Sequence, residues 1–307
     1  KNYVLCRKNY IRHNSNYIRP FFRHCKCLKN KCVFQVGRKH YLCNVPQCGI
    51  KQVHHMEMIT ADDIIETLTA MRDEAQGRIL ARFFKTGKGE YGEGDRFLGI
   101  RVPQVRAVAK EAQGCVGFGE IEKLLRSEWH EVRLCAFLLL VSEMKRALPS
   151  RRNRAGDAAH RTEIVRFYIA HAYRANNWDL VDLSCVHILG AWLLYPREDG
   201  TMPPRTILDN LAASGNLWEQ RIAIVSTLAL IRERQYADTL RIATSLLGHP
   251  HDLIHKAVGW MLREVGKRDI NVLRGYLEGH CHEMPRTALR YAIERMDAGE
   301  RRGWLER

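Results

Sequence analysis

The octet ANNWDLVD, residues 175–182, sets an indole and a carboxylate four residues apart, Trp178 and Asp182. At helical spacing the two side chains share one face. A carboxylate there can stabilise a developing positive charge or orient a water molecule. An indole face attracts the same kind of charge. The plain alternative is a helix start whose tryptophan anchors the core and whose acid faces solvent. The elements around the octet decide between the two.

From Thr60 onward apolar residues recur at helical spacing and strand-like alternation is absent. The pattern predicts about a dozen helices with short connections. TGKGEYGEGDRF, residues 86–97, carries too many glycine and turn signals for anything but a loop. LPSRRNRAGDAAHR, residues 148–161, reads as an exposed insertion.

Several predicted helix starts align with one another. SEWHEVRLCAFLLL, NLWEQRIAIVSTLAL, HDLIHKAVGWMLREV and HEMPRTALRYAIERM each pass from a polar turn, through a basic residue, into an apolar helix. The basic residues are Arg133, Arg221, Lys256 and Arg286, the last three separated by 35 and 30 residues. Such a period is that of helix-pair repeats, which stack so that equivalent helix starts line one surface. The expected fold is therefore all-α, a HEAT-like helical repeat solenoid with a concave basic surface. A row of cations can track a phosphate backbone, although charge runs are often merely solvated. NNWDLVD belongs to the same series. Its slot, 39 residues before Arg221, holds Asp182 in place of a cation. An acid inside a basic row weakens phosphate binding, and chemistry is one reason to keep it.

A second aromatic joins the row. Lys256, Trp260, Arg263 and Lys267 fall on one helical face, while Leu253, Ala257, Met261 and Val265 supply an apolar face of their own. Trp260 is thus expected on the basic surface, where aromatics interleaved with cations suit nucleic acid. Trp129 and Trp218 read as packing anchors, and Trp192 and Trp304 as core or end-packing residues.

Composition bounds these readings. The chain has 307 residues, is 46% hydrophobic and carries a net charge of +15. Residues 1–55 hold 12 Lys and Arg and no acid, leaving 37 basic (49 − 12) against 34 acidic residues in the remainder. The body's net charge of +3 (37 − 34) carries no nucleic-acid argument, so segregation of charge must. No apolar run reaches the roughly 20 residues of a membrane span. Six of the ten cysteines precede residue 50, whereas Cys115, Cys135, Cys185 and Cys281 lie mostly in apolar helical contexts and read as reduced core cysteines of an intracellular protein.

Residues 1–55 stand apart from the body. Cys27, Cys32, Cys43 and Cys48, with His24 and His40 nearby, could hold zinc, although four-residue gaps suit structural zinc poorly. A disordered basic arm, or upstream sequence outside the native domain, are the other readings. Thr60 can cap a helix whose Asp62 and Asp63 complement its dipole, so the domain is expected to span 56–307.

FFKTGKGEYGEGDRFLGIRVPQVR, NNWDLVD, LWEQRIAIV, HKAVGWMLREVGK and MPRTALRYAIERM, in that order, resemble the AlkD-type DNA alkylation repair glycosylases. The resemblance covers about residues 58–307 and not residues 1–55. It implies hydrolysis of the N-glycosidic bond of purines alkylated at N3 or N7 in double-stranded DNA, as a monomer and with neither metal nor cofactor. It makes Trp178 and Asp182 the catalytic pair, puts Trp260 against the lesion nucleotide and Arg221 on a phosphate. An N-terminal tyrosine also lines that family's site, but the glycine-rich loop departs from the best-known form and does not reveal it. Lys256, Arg263, Lys267, Arg133 and Arg286 are the further DNA-binding candidates, and the expected location is the bacterial cytoplasm, at the nucleoid. Two other readings stay open: a non-catalytic HEAT-type module binding nucleic acid or protein, and a protein scaffold whose charges are only solvated.

Overall fold

The computed structural model describes residues 58–307, apart from 152, 154 and 155, and the backbone of three strands nearer the N-terminus. Those strands, β1 (Cys25–Leu28), β2 (Lys31–Val36) and β3 (Lys39–Asn44), form an antiparallel sheet in the order β1-β2-β3. The register sets Cys27 opposite Cys32 and Cys32 opposite Cys43. The sequence reading foresaw no sheet there. His24 and Cys48 of the zinc reading lie outside the described residues.

Among the described residues of 58–307, the regular structure is helical but for one isolated bridge, Arg96 to Trp129. The chain opens with α1 (Ala61–Thr69), where Thr60 and Asp63 cap each other reciprocally. Then come α2 (Glu74–Phe83), α3 (Val102–Ala112), α4 (Phe118–Leu125) and α5 (His130–Ala147). Next are α6 (Ala158–Ala170), α7 (Trp178–Ser184), α8 (Thr206–Ala212), α9 (Leu217–Ser226) and α10 (Leu228–Arg232). The chain ends in α11 (Ala237–Ser245), α12 (Asp252–Gly266), α13 (Ile270–His280), α14 (Arg286–Ala292) and α15 (Ala298–Glu306). The expected insertion at 148–161 is shorter than the sequence suggests, because Asp157 caps α6 and ends the loop.

The aligned helix starts belong to one layer. α5, α7, α9, α12 and α14 pack side by side in chain order, with α4, α6, α8, α11 and α13 each against a member of that row or its extension. This is the two-layer arrangement of helical repeats. α5 lies at its centre: 14 of its 18 residues are buried, so it is apolar nearly all round. Leu180 and Val181 are fully buried and pin α7 to that core, so Leu180→Ala would forfeit about 2–5 kcal/mol.

Two glycines set the spacing around α7. Beyond Ser184 the chain passes into a π-helical turn, Val186–Gly190. A Cβ on Gly190 would come within 2.4 Å of the Ser226 carbonyl oxygen, so only glycine lets this turn meet the end of α9. Gly99 follows the glycine-rich loop with φ +89°, and a Cβ there would meet the Asp73 carbonyl oxygen at 1.9 Å. The buried Glu131 carboxylate accepts from the backbone N–H of Leu98, Gly99 and Ile100 at 2.9, 2.8 and 3.1 Å. The first turn of α5 thereby fastens the end of the loop beside the start of α7.

Candidate active site

Asp182 and Arg221 come from adjacent helices of the row, α7 and α9. The Arg221 Nε and Nη2 donate to Asp182 Oδ1 and Oδ2 at 2.8 and 2.7 Å, a two-point grip that fixes the carboxylate plane. Arg221 Nη1 donates to the Leu253 carbonyl at 2.6 Å, so one guanidinium ties α7, α9 and the start of α12. The Arg221 side chain is 7% exposed and that of Asp182 19%. Burial pushes the Asp182 carboxyl above the usual range, and Arg221 opposes this. The acid in the basic row is thus matched by the cation of the next slot.

Trp178 opens α7, where the Asn177 side chain accepts from its N–H at 2.9 Å. The indole is half-buried and packs against the edge of the core. Phe84 lies 5.4 Å from it and stacks in turn on Phe97 at 5.1 Å. Phe83 meets the indole edge-on at 6.0 Å and is itself 61% exposed, uncommon for a phenyl ring with a core within reach.

Beneath the indole lies a charged network that the sequence reading missed. The buried His130 is held between two carboxylates, Nδ1 to Asp95 at 2.7 Å and Nε2 to Asp179 at 2.9 Å. Burial disfavours its charge, but Asp179 and Asp95 outweigh burial and push its pKa up to about 9. Burial would raise the Asp95 carboxyl, yet His130 and Arg133 bring it below its ordinary value. Asp179 is the second residue of α7, so the network holds the turn that carries Trp178.

The expected row of exposed cations divides. Arg133 is 2% exposed, pairs with Asp95 and donates to the Ser127 carbonyl at 2.9 Å; it is an internal strut. Arg221, 5% exposed, is internal as well. Both turn inward because a buried carboxylate on a neighbouring element needs a partner. Lys256 remains at the surface beside Asp252 at 2.7 Å, Arg263 pairs with Glu294, and Lys267 with Glu264 at 2.9 Å. Arg286 is exposed and donates to the Leu305 carbonyl at 2.8 Å. Trp260 is half-buried against the core edge, not fully turned out. Tyr91, in the glycine-rich loop, meets Trp218 of α9 at 6.1 Å and His251, the cap of α12, at 6.4 Å. Trp218, Trp192 and Trp304 are buried, as packing residues should be.

A family model described as DNA alkylation repair enzyme matches residues 64–296. The chain belongs to this family. Among solved structures, a protein from Enterococcus faecalis described as a predicted DNA alkylation repair enzyme is similar, at 17% identity and a TM-score of 0.52. That match covers 74% of this chain and 97% of the other. The smu.31 protein from Streptococcus mutans UA159 also matches, at 15% identity and a TM-score of 0.44, over 77% of this chain and 99% of that one. No curated protein matches the chain. Among the described residues of this repair enzyme, no helix is long and apolar enough to cross a membrane.

For a DNA alkylation repair enzyme the arrangement has a definite chemical capacity. The carboxylate of Asp182 is immobilised, half-sheltered and one turn from an indole. Each of its oxygens has acceptor capacity beyond the bond to Arg221. The residues missed in the sequence divide by legibility. Asp95 and Tyr91 lay in a segment read only as loop. His130 stood at an aligned helix start, but nothing in its spacing pointed to Asp95, 35 residues away, or Asp179, 49 residues away.

Proposed function

We propose that this DNA alkylation repair enzyme is an N-glycosylase that hydrolyses the N-glycosidic bond of cationic N3- or N7-alkylated purines in duplex DNA. The observation that carries the reading is the Asp182 carboxylate, gripped at two points by Arg221 yet partly open, one turn beyond Trp178. A purine alkylated at N3 or N7 is already cationic and leaves as a neutral molecule. It needs little general acid. The sugar takes up the positive charge as the bond breaks. A carboxylate fixed beside it stabilises that charge without reorganising, and its free lone pairs orient the attacking water. The faces of Trp178 and Trp260 add cation–π attraction of roughly 0.5–2 kcal/mol each. Tyr91 is the aromatic of the glycine-rich loop that fills the remaining N-terminal place in this scheme. Lys256, Arg263, Lys267 and Arg286 meet phosphates.

The test is release of 7-methylguanine or 3-methyladenine from methylated DNA, followed by mass spectrometry. Release well above the spontaneous rate, lost in Asp182→Asn, supports the proposal. Release at the spontaneous rate by the wild-type protein overturns it.

One observation favours a second reading. A bidentate pair is also what a purely structural tie between α7 and α9 requires. A non-catalytic HEAT-type module would bind DNA with a steep salt dependence and release no base.

A further inference from the structure

We infer that the groove between α14 and α15 is a separate binding site for the DNA phosphodiester backbone, distant from Asp182. The inference rests on the family's work on DNA and not on glycosylase chemistry.

The need for such a site follows from where the other cations went. Of six cations expected to meet DNA, Arg133 and Arg221 are buried and bonded within the protein. Lys256, Arg263 and Lys267 each sit beside a carboxylate. The row of helix starts therefore offers less free positive charge than its sequence suggests.

The groove offers more. Arg286 and Arg290, one helical turn apart on α14, face Arg301 and Arg302 of α15 across it. Glu294 and Glu306 also line it, but Glu294 is already held by Arg263. Arg290, Arg301 and Arg302 are exposed and form no ion pair among the described residues. Arg286 is braced by the Leu305 carbonyl across the groove. The four guanidinium groups outnumber the two carboxylates of the groove, which leaves it net positive and suited to an anion. Their planar forks match phosphate oxygens, and four of them lining one groove suit a run of phosphates.

The position predicts the stretch of DNA involved. α14 stands three helix-packing steps from α7 along the row, through α9 and α12. At about 8–10 Å per step the path along the row from α7 to α14 is roughly 24–30 Å. At about 3.4 Å per base pair this corresponds to backbone roughly eight base pairs from the lesion.

The test uses the full chain and two variants, Arg290→Gln/Arg301→Gln/Arg302→Gln and Arg301→Glu/Arg302→Glu. Circular dichroism and thermal melting first establish that both fold. Fluorescence anisotropy then measures binding to unmodified and methylated duplexes of about 24 base pairs across a salt series. The triple variant is expected to lose about 2–3 from the salt slope and at least about tenfold in affinity at moderate salt. Trimming the duplex to about five base pairs on the relevant side of the lesion should bring the wild type down to the variant's affinity. An unchanged slope and affinity in folded variants overturns the inference, as does a wild type indifferent to trimming on either side. Variants that differ from wild type only in binding inorganic phosphate also overturn it. If neither protein releases base while the slope still falls, the glycosylase reading fails and the groove stands.

Discussion

Arg221 holds Asp182 by two parallel hydrogen bonds and spends a third donor on the Leu253 carbonyl, so a candidate catalytic carboxylate is also a structural joint of three helices. The two roles separate by substitution. Asp182→Asn keeps one acceptor for Arg221, gives up the other bond of the grip and removes the charge, so thermal melting first establishes that it folds. Base release should fall about 100- to 1,000-fold, the usual loss for a preorganised electrostatic group. Affinity for duplex DNA should hold or rise, because a negative charge leaves the surface. Full activity in a folded Asp182→Asn protein would remove this residue from the mechanism.

Arg221→Ala should behave differently. It leaves a partly buried carboxylate without its partner, which should destabilise by up to about 3 kcal/mol. It also removes the cation that opposes burial at Asp182, so the carboxyl pKa should rise further. Activity and melting temperature should therefore fall together, and Arg221→Lys should restore only part of either, because an ammonium cannot reproduce the two-point grip. A stable Arg221→Ala protein would show that the pair contributes nothing to the joint.

The pH profile of base release has a set direction. Asp182 must be ionised, and burial holds its pKa above the ordinary aspartate value despite Arg221. The rate at saturating substrate should fall on the acid side, with a midpoint above the ordinary 3.8. Asp182→Asn should abolish that limb. A single-turnover rate series from mildly acidic to neutral pH measures both.

The fold was legible in the sequence because helical periodicity and the aligned starts are local signals. The starts at Arg133, Trp178, Arg221, Lys256 and Arg286 do mark successive helices of one row. The direction of each cation was not legible. Arg133 and Lys256 occupy similar places in their helices, yet one is buried against Asp95 and the other stays at the surface. What decides is a carboxylate from a loop distant in sequence, which no local pattern contains. The same reasoning explains the missed network. Asp95 lay in a segment read as loop, His130 in the polar turn of an aligned helix start and Asp179 within NNWDLVD, and nothing local set any of the three apart.

That network gives stability a pH dependence. His130 titrates near 9 in the folded chain and near 6.5 when unfolded. A raised folded pKa means its contribution is complete below about 6.5 and is lost as pH rises through about 9. The difference of two and a half units corresponds to about 3 kcal/mol, as an order of magnitude. Denaturant titrations should show the wild type losing stability over that alkaline window. His130→Gln should start less stable and show a flat window. A wild-type curve equally flat would mean that His130 is neutral between its two carboxylates.

Phe83 supplies the last prediction. It ends α2, is 61% exposed and meets Trp178 edge-on at 6.0 Å. Ile79, one turn earlier on the same helix, is 59% exposed, so the two make a small apolar edge beside the candidate site. In the free protein that edge contributes little to the core. Phe83→Ala should shift stability by no more than its edge-on contacts to Phe84 and Trp178, about 0.5–1.5 kcal/mol each. If the edge rests against the nucleotide held at Trp178, the same substitution should lower single-turnover base release about tenfold or more, each factor of ten being roughly 1.4 kcal/mol of lost transition-state binding. Phe83→Trp, which keeps an aromatic face, should recover most of the rate, and Phe83→Leu much less. This ordering separates contact with DNA from mere support of the indole, because leucine and tryptophan would both prop Trp178 in place. Equal rates for the alanine, leucine and wild-type proteins would leave Phe83 as an exposed ring with no part in the reaction.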